Sequence, residues 1–387
     1  YTVAHTFPKL IVKQGMWTGG QSTSLALAES FGAIPASPLA DAITIDGGAI
    51  RKAGGANLFL DPKQGITLGA AGGTIRAYGG NVGSGTFGIP GVISGTGALT
   101  VNASADSAYG PIIVLAGNNT YSGGTTMSVG SCYVTNNGTG SGTGSGAVAV
   151  SGGTFGGDGA LSGPLNLSGG TLAPGYSFNV GPLPVTAVTK AIGKLTLANG
   201  LNMTGGTFSW QLGALSTANP GADFDQLAVT GGNISVTAGT LAIAFTGTAT
   251  APVDTEPFWQ TAKQWKIISL AGGGSATAGF AAITGTNGIT AGAFTTTTDA
   301  TGVNLGWTPA AVTPEPVTGM TVASVSGGDI TINYTGGAGT RLVLLRTFDL
   351  TVPISSWERV KTNAPGTGSF VMPVGTDPKA FYVIKSE

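Results

Sequence analysis

The side chains able to carry out acid–base or metal chemistry are few and far apart in this chain. His5 is the single histidine, so neither a Ser-His-Asp arrangement nor a histidine-based metal centre can be assembled in the body of the protein. Between Ala77 and Thr189 the only charged residues are Asp106 and Asp158. Polysaccharide hydrolases and lyases need clustered carboxylates, with lysine or arginine set against sugar acids. Asp223 and Asp225, in "GADFDQL", alternate onto one face of a strand and could hold a cation; a structural coil edge is the competing reading. "GSGTFG", Gly83 to Gly88, has the spacing of a phosphate-cradling loop, but no helical pattern follows it to present an amino end to a phosphate. "GGDG" at Gly156 matches one piece of a calcium-binding nonapeptide and does not recur at that spacing. The expectation is therefore no catalytic residue, no metal and no cofactor.

Aromatic side chains remain as candidates for binding. Trp259, Tyr109 and Tyr121 could stack on sugar rings, although an aromatic that closes the edge of a core has the same signature. Trp265 alternates with Ile267 in "WKIISL" and reads as core or cap. The lone cysteine, Cys132, lies in "SCYVTN", where alternation puts it with Val134 on one face and Tyr133 on the other. It reads as a small buried hydrophobe, with an intermolecular disulfide as the alternative.

The elements that must position these residues are set by an unusual composition. Of 387 residues 68 are glycine, 9% are charged and 41% are hydrophobic. The mean hydropathy is positive, so the chain can bury a core and is no disordered linker. A net charge of -1 without a basic patch argues against nucleic acid or an anionic membrane surface as partner. No apolar run is long enough for a membrane helix. A start at Tyr1 with no leader fits a mature, exported chain.

Gly-Gly-Thr recurs at Gly72, Gly123, Gly152, Gly169 and Gly205, with related turns at Gly47 and Gly231. The intervals of 17 to 51 residues correspond to one or two coils of a solenoid. Between the turns run short alternating segments such as "GAVAVSGG", "PLNLSGG" and "KLTLANG", which read as strands. Each Gly-Gly-Thr is then a corner followed by the first residue of the next strand, because glycine takes the positive φ that a tight corner needs.

The segment "LAGNNTYSGGTTMSVGSCYVTNNGTGSGTGSGAVAVSGGTFGGDGALSGPLNLSGGTLAPG", Leu115 to Gly175, resembles the autotransporter-associated β-strand repeat of secreted bacterial passenger proteins. "DFDQLAVTGGNISVTAGTLAIAF" with "WKIISLAGG" resembles the closing coils of such passengers. The resemblance implies an all-β chain, a right-handed parallel β-helix over residues 40–308, with Cys132 turned inward where the family usually has leucine. The family normally continues into an outer-membrane barrel; this chain has instead a Pro-rich linker, 309–319, and about 70 residues with five strand-like runs. These read as a small antiparallel β-sandwich of fibronectin type III-like design. About a dozen coils are expected in the solenoid.

Residues 1–39 precede the recognisable repeats. "TSLALAESFGAI", Thr23 to Ile34, could form a short helix, and "PKLIVKQG" reads as a lone strand. Either this segment caps its own solenoid, or it joins a neighbouring copy head to tail, with Val3, Phe7, Leu10 and Val12 at the joint. The function these features point to is a non-catalytic, secreted or surface-displayed structural rod that polymerises with itself. The alternative is a glycan-binding adhesin recognising an extracellular polysaccharide.

Overall fold

The computed structural model describes residues 4–20, 28–78, 85–103, 110–177, 189–190, 192–310, 317–337, 341–364, 366, 368–375 and 379–386. The chain divides into two compact units, Tyr1–Pro309 and Ala310–Glu387. Both are built from strands, with large parallel sheets in the first and small antiparallel sheets in the second.

Alternating short strands and positive-φ glycines make the first unit a stack of coils. A ten-stranded parallel sheet runs from Met16–Gly19 to Ala276–Ala278, and a nine-stranded sheet from Leu58–Phe59 to Ala282–Thr284. The third side carries a four-stranded sheet near the amino end and a six-stranded sheet near the carboxyl end. Among the described residues the ten-stranded sheet defines ten rungs, close to the dozen or so expected.

The inward residues line up from rung to rung. One column of the ten-stranded sheet reads Ile50, Ile75, Val101, Met127, Val150, Leu167, Met203, Val236. In the nine-stranded sheet the sequence is Leu58, Phe87, Ile113, Cys132, Phe155, Leu172, Phe208, Leu241. These side chains are buried, and at about 25 cal/mol per Å² of apolar surface their continuous burial is the main force holding one coil on the next. Four of the five Gly-Gly-Thr corners are as expected, and at Gly72 the strand opens one residue early, on Gly73. Gly153 and Gly170 both have φ of 72°, and each is followed by a strand-opening threonine, Thr154 and Thr171, paired in register.

Among the described residues the third side carries no strand between Ile93–Gly95 and Ala160–Leu161, and asparagine carboxamides replace the ladder there. Asn119 accepts from the Ile93 amide through Oδ1 (2.7 Å) and donates through Nδ2 to the Gly142 carbonyl (2.6 Å). Asn136 accepts from the Ala160 amide at 2.7 Å. Both are buried, so each satisfies backbone groups that would otherwise be stranded in the core.

The two ends of the solenoid differ. At the amino end Leu10–Val12 pairs in parallel with Leu39–Ile45, with Leu10 opposite Ile43 and Val12 opposite Ile45. The strand that reads as solitary is the first rung of its own solenoid. The helix expected over Thr23 to Ile34 is a single 3-10 turn, Ala28–Phe31, whose buried Phe31 stacks on Phe87 at 5.4 Å; residues 23–27 lie outside the described residues. At the carboxyl end Lys263–Leu270, Gly302–Pro309 and Gly292–Asp299 pair antiparallel. Their rings form a cluster: Trp307 lies 5.3 Å from Trp259 and 4.8 Å from Phe294.

Among the described residues the second unit is a sandwich of six strands, one more than expected, because Val317–Ser326 begins inside the stretch that reads as linker. Val317–Ser326, Asp329–Gly336 and Gly368–Pro373 form one sheet; Glu358–Asn363, Leu342–Thr347 and Phe381–Ser386 form the other. Ile332, Tyr334, Phe370 and Met372 of the first face Leu342, Leu344 and Ile384 of the second.

Candidate functional site

The most regular surface of the solenoid is the outer face of the ten-stranded sheet. One outward column reads Thr74, Thr100, Thr126, Ala149, Asn166, Asn202, Ser235, Thr277. The Thr100 and Thr126 hydroxyls are 3.3 Å apart, and Asn202 Nδ2 donates to Asn166 Oδ1 at 3.5 Å. Where Ala149 interrupts the column a shallow, mainly apolar groove opens, lined by Met127, Ala149 and Val150 and edged by Thr100, Thr126, Ser128, Ser151 and Ser168. It carries no charge. Hydroxyls of this kind can both donate and accept hydrogen bonds.

The aromatic residues marked for glycan stacking are not available to a ligand. Tyr121 is 0% exposed and its hydroxyl shares a 2.5 Å hydrogen bond with Thr125. Burial pushes the phenol well above its ordinary range, opposed by the Thr125 bond. Trp259 is 1% exposed, enclosed by Trp265, Trp307, Phe245 and Phe294. Both rings fill the core instead of facing solvent, where a sugar cannot stack on them. Trp265 is core as well, its Nε1 donating to the Ser216 carbonyl at 2.8 Å. Tyr109 lies outside the described residues.

The residues marked for a joint between copies are also engaged internally. Leu10 and Val12 are buried in the first rung, and Phe7 packs on that core beside His5 (5.1 Å) and Trp17 (5.7 Å). Leu10 and Val12 are thus taken up inside their own solenoid, while Phe7 stays half-buried. Val3 lies outside the described residues.

The Asp223/Asp225 pair is a coil edge. Asp225 is buried and accepts from the amides of Gly193 (2.9 Å) and Gln211 (3.0 Å). Asp223 accepts from Asn219 at 2.8 Å, and hydrogen bonds from Ser216 and then Asn219 hold its carboxyl below the usual range. Among the described residues no group of three His, Cys, Asp or Glu side chains comes together as metal ligands. No helix among them is long and apolar enough to cross a membrane.

Two polar features escape a reading by residue type. Lys266 Nζ bridges both Asp299 oxygens at 2.7 Å, while Thr301 and Asn304 also donate to that carboxylate. These bonds, Lys266 first, hold Asp299 far below the ordinary carboxylate range. Lys52 is fully buried, opposite Ala77 in the ten-stranded sheet, and its ammonium donates to the Gly54 carbonyl. Burial lowers its pKa to about 8. Its alternation with Ile50 in "AIRK" is the signal that places it inward.

Cys132 is buried in its column between Ile113 and Phe155, and burial pushes the thiol up to about 12. It is inert in the folded chain. Compared with models of known families and with curated proteins, the chain matches none.

Proposed function

We propose that this chain is a non-catalytic extracellular structural protein, a secreted or surface-displayed β-helical rod whose coils are repeats of the autotransporter-associated type. The observation that carries the reading is the pair of uninterrupted inward columns, each continuous over at least eight rungs. A chain organised this way uses its length to extend a stack, and it presents hydroxyls and carboxamides outside instead of a cleft. The small sandwich suits a fibronectin type III-like module attached to the rod.

Electron microscopy of native material tests this. Slender rods at the cell surface or in the extracellular fraction are expected; a compact cytoplasmic particle would overturn the reading. Cleavage of common polysaccharides that is lost on changing Asp158 would overturn its non-catalytic part.

The shallow groove at Ala149, apolar at its floor and edged by hydroxyls, favours a second reading, in which the rod holds a neutral polysaccharide. Co-sedimentation with insoluble cellulose or chitin, abolished by Thr126→Lys, supports it. Equal sedimentation of the variant removes it.

A further inference from the structure

The third side of the solenoid is apolar towards both ends and polar between them. Its inward column runs Ile43, Ile66, Ile93 near the amino end and Leu161, Leu197, Val229, Leu270 near the carboxyl end. In the interval the chain passes along this side as 117–122 and 135–144. Glycines and Tyr121 apart, every buried residue of those two segments is polar: Asn119, Thr135, Asn136, Ser141 and Thr143.

Hydrogen bonds are therefore the main closure here. The Asn119 amide donates to the Ser141 carbonyl at 2.6 Å and the Gly142 amide to the Ala160 carbonyl at 2.8 Å, while the Asn119 and Asn136 carboxamides accept from the amides of Ile93 and Ala160. Such bonds are exchanged for bonds to water on opening and contribute little net, whereas apolar burial is lost outright. Two features favour opening. The hydroxyls of Thr135 and Thr143 are buried with no hydrogen bond within the chain, and each gains water when its segment lifts. Asn137, at φ 54°, is the one non-glycine residue with positive φ among those described, a conformation that a side chain resists.

The other two sides of the same rungs have no such break. Val101, Met127 and Val150 continue one column, and Ile113, Cys132 and Phe155 the other. Each coil of a solenoid touches only its neighbours, and the parts of a fold with the fewest buried apolar contacts open first. We propose that 117–122 and 135–144 form a seam, which opens locally and as one element while the two columns stay stacked, and so admits solvent sideways into the interior of the solenoid. The apolar stretches of the third side, before Ile93 and after Leu161, remain closed on either side of it.

Hydrogen exchange of the full chain, resolved to single amides, tests the proposal on groups that are all hydrogen-bonded. The seam amides of Ile93, Asn119, Gly142 and Ala160 should exchange on the order of 100-fold faster than two sets of references. Ser151 and Thr154 belong to the sheets flanking the seam, and Gly69 and Thr230 to the apolar stretches of the third side. A Cβ on Gly140 would lie 3.4 Å from that of Asn118, close enough for a disulfide. Oxidised Asn118→Cys/Gly140→Cys should therefore slow exchange at Asn119 and Gly142 by at least about ten-fold relative to its own reduced form, which carries the same strain at Gly140. Seam amides as slow as the references, acceleration shared by Ser151 and Thr154, or a cross-link that leaves Asn119 and Gly142 unchanged would each overturn it.

Discussion

Replacing Lys52 by methionine should stabilise the solenoid at neutral pH, and the advantage should disappear in alkali. The ammonium is buried beside Ala77 with the Gly54 carbonyl as its hydrogen-bond acceptor, and its pKa falls from 10.5 to about 8. A shift of that size corresponds to about 3 kcal/mol. Because the folded state holds the proton more weakly than the unfolded chain, the cost is fully present below pH 8. It is relieved as pH rises from about 8 towards 10.5, where the unfolded chain also loses its proton. Methionine removes this cost but leaves the Gly54 carbonyl without a donor, which costs about 1–3 kcal/mol. The net gain at pH 7 is on the order of 1 kcal/mol. Near pH 10 the wild-type lysine is neutral and still donates, so the variant should become the less stable of the two. The denaturant midpoint at which Cys132 becomes open to thiol labelling, measured from pH 7 to 10 in both proteins, reads this directly. A variant less stable at pH 7, or a stability difference that does not change with pH, would refute the assignment of a buried, desolvated ammonium.

Other perturbations have defined outcomes. Gly170→Ala forces a side chain onto φ 72° with its Cβ 2.5 Å from the Gly153 carbonyl. It should lower stability by at least about 2 kcal/mol in urea unfolding. Asn119→Ala leaves the Ile93 amide and the Gly142 carbonyl buried without partners and should cost about 2–5 kcal/mol, whereas Asn202→Ala on the outer face should be nearly neutral. Asp299→Asn should flatten the acid limb of the pH–stability profile. The depressed carboxyl contributes stability above the ordinary carboxylate pKa and loses it as pH falls towards the folded value. In the parent, Cys132 should resist thiol reagents until the chain unfolds.

The parts of this structure that were legible in the sequence are those encoded by local repetition. Gly-Gly-Thr specified corners because glycine at positive φ is a local requirement, and Cys132 could be placed inward from its alternation with Val134. The small sandwich was legible for the same reason, as alternating runs. What depends on contacts between distant segments was not. Tyr121 and Trp259 look like surface aromatics because nothing near them in sequence shows that Thr125 or Phe294 will enclose them. "PKLIVKQG" looks solitary because its partner, Leu39–Ile45, lies about thirty residues on and pairs by register. Lys52 has the residue type of a solvated side chain, and only its alternation with Ile50 points inward. The asparagine carboxamides that stand in for a strand ladder leave no periodic trace at all.

In the first unit each coil stacks directly on the next, and spin labels on the threonine ladder test this most directly. Thr154 pairs with Thr171 and Thr171 with Thr207, so Thr154 and Thr171 are one strand spacing apart, about 4.8 Å, and Thr154 and Thr207 about twice that. With the buried Cys132 silent, nitroxides on Thr154→Cys/Thr171→Cys should show strong spin exchange in the folded chain, and those on Thr154→Cys/Thr207→Cys should show only dipolar broadening. Equal spectra for the two pairs, or no interaction in the first, would contradict the stacked parallel solenoid.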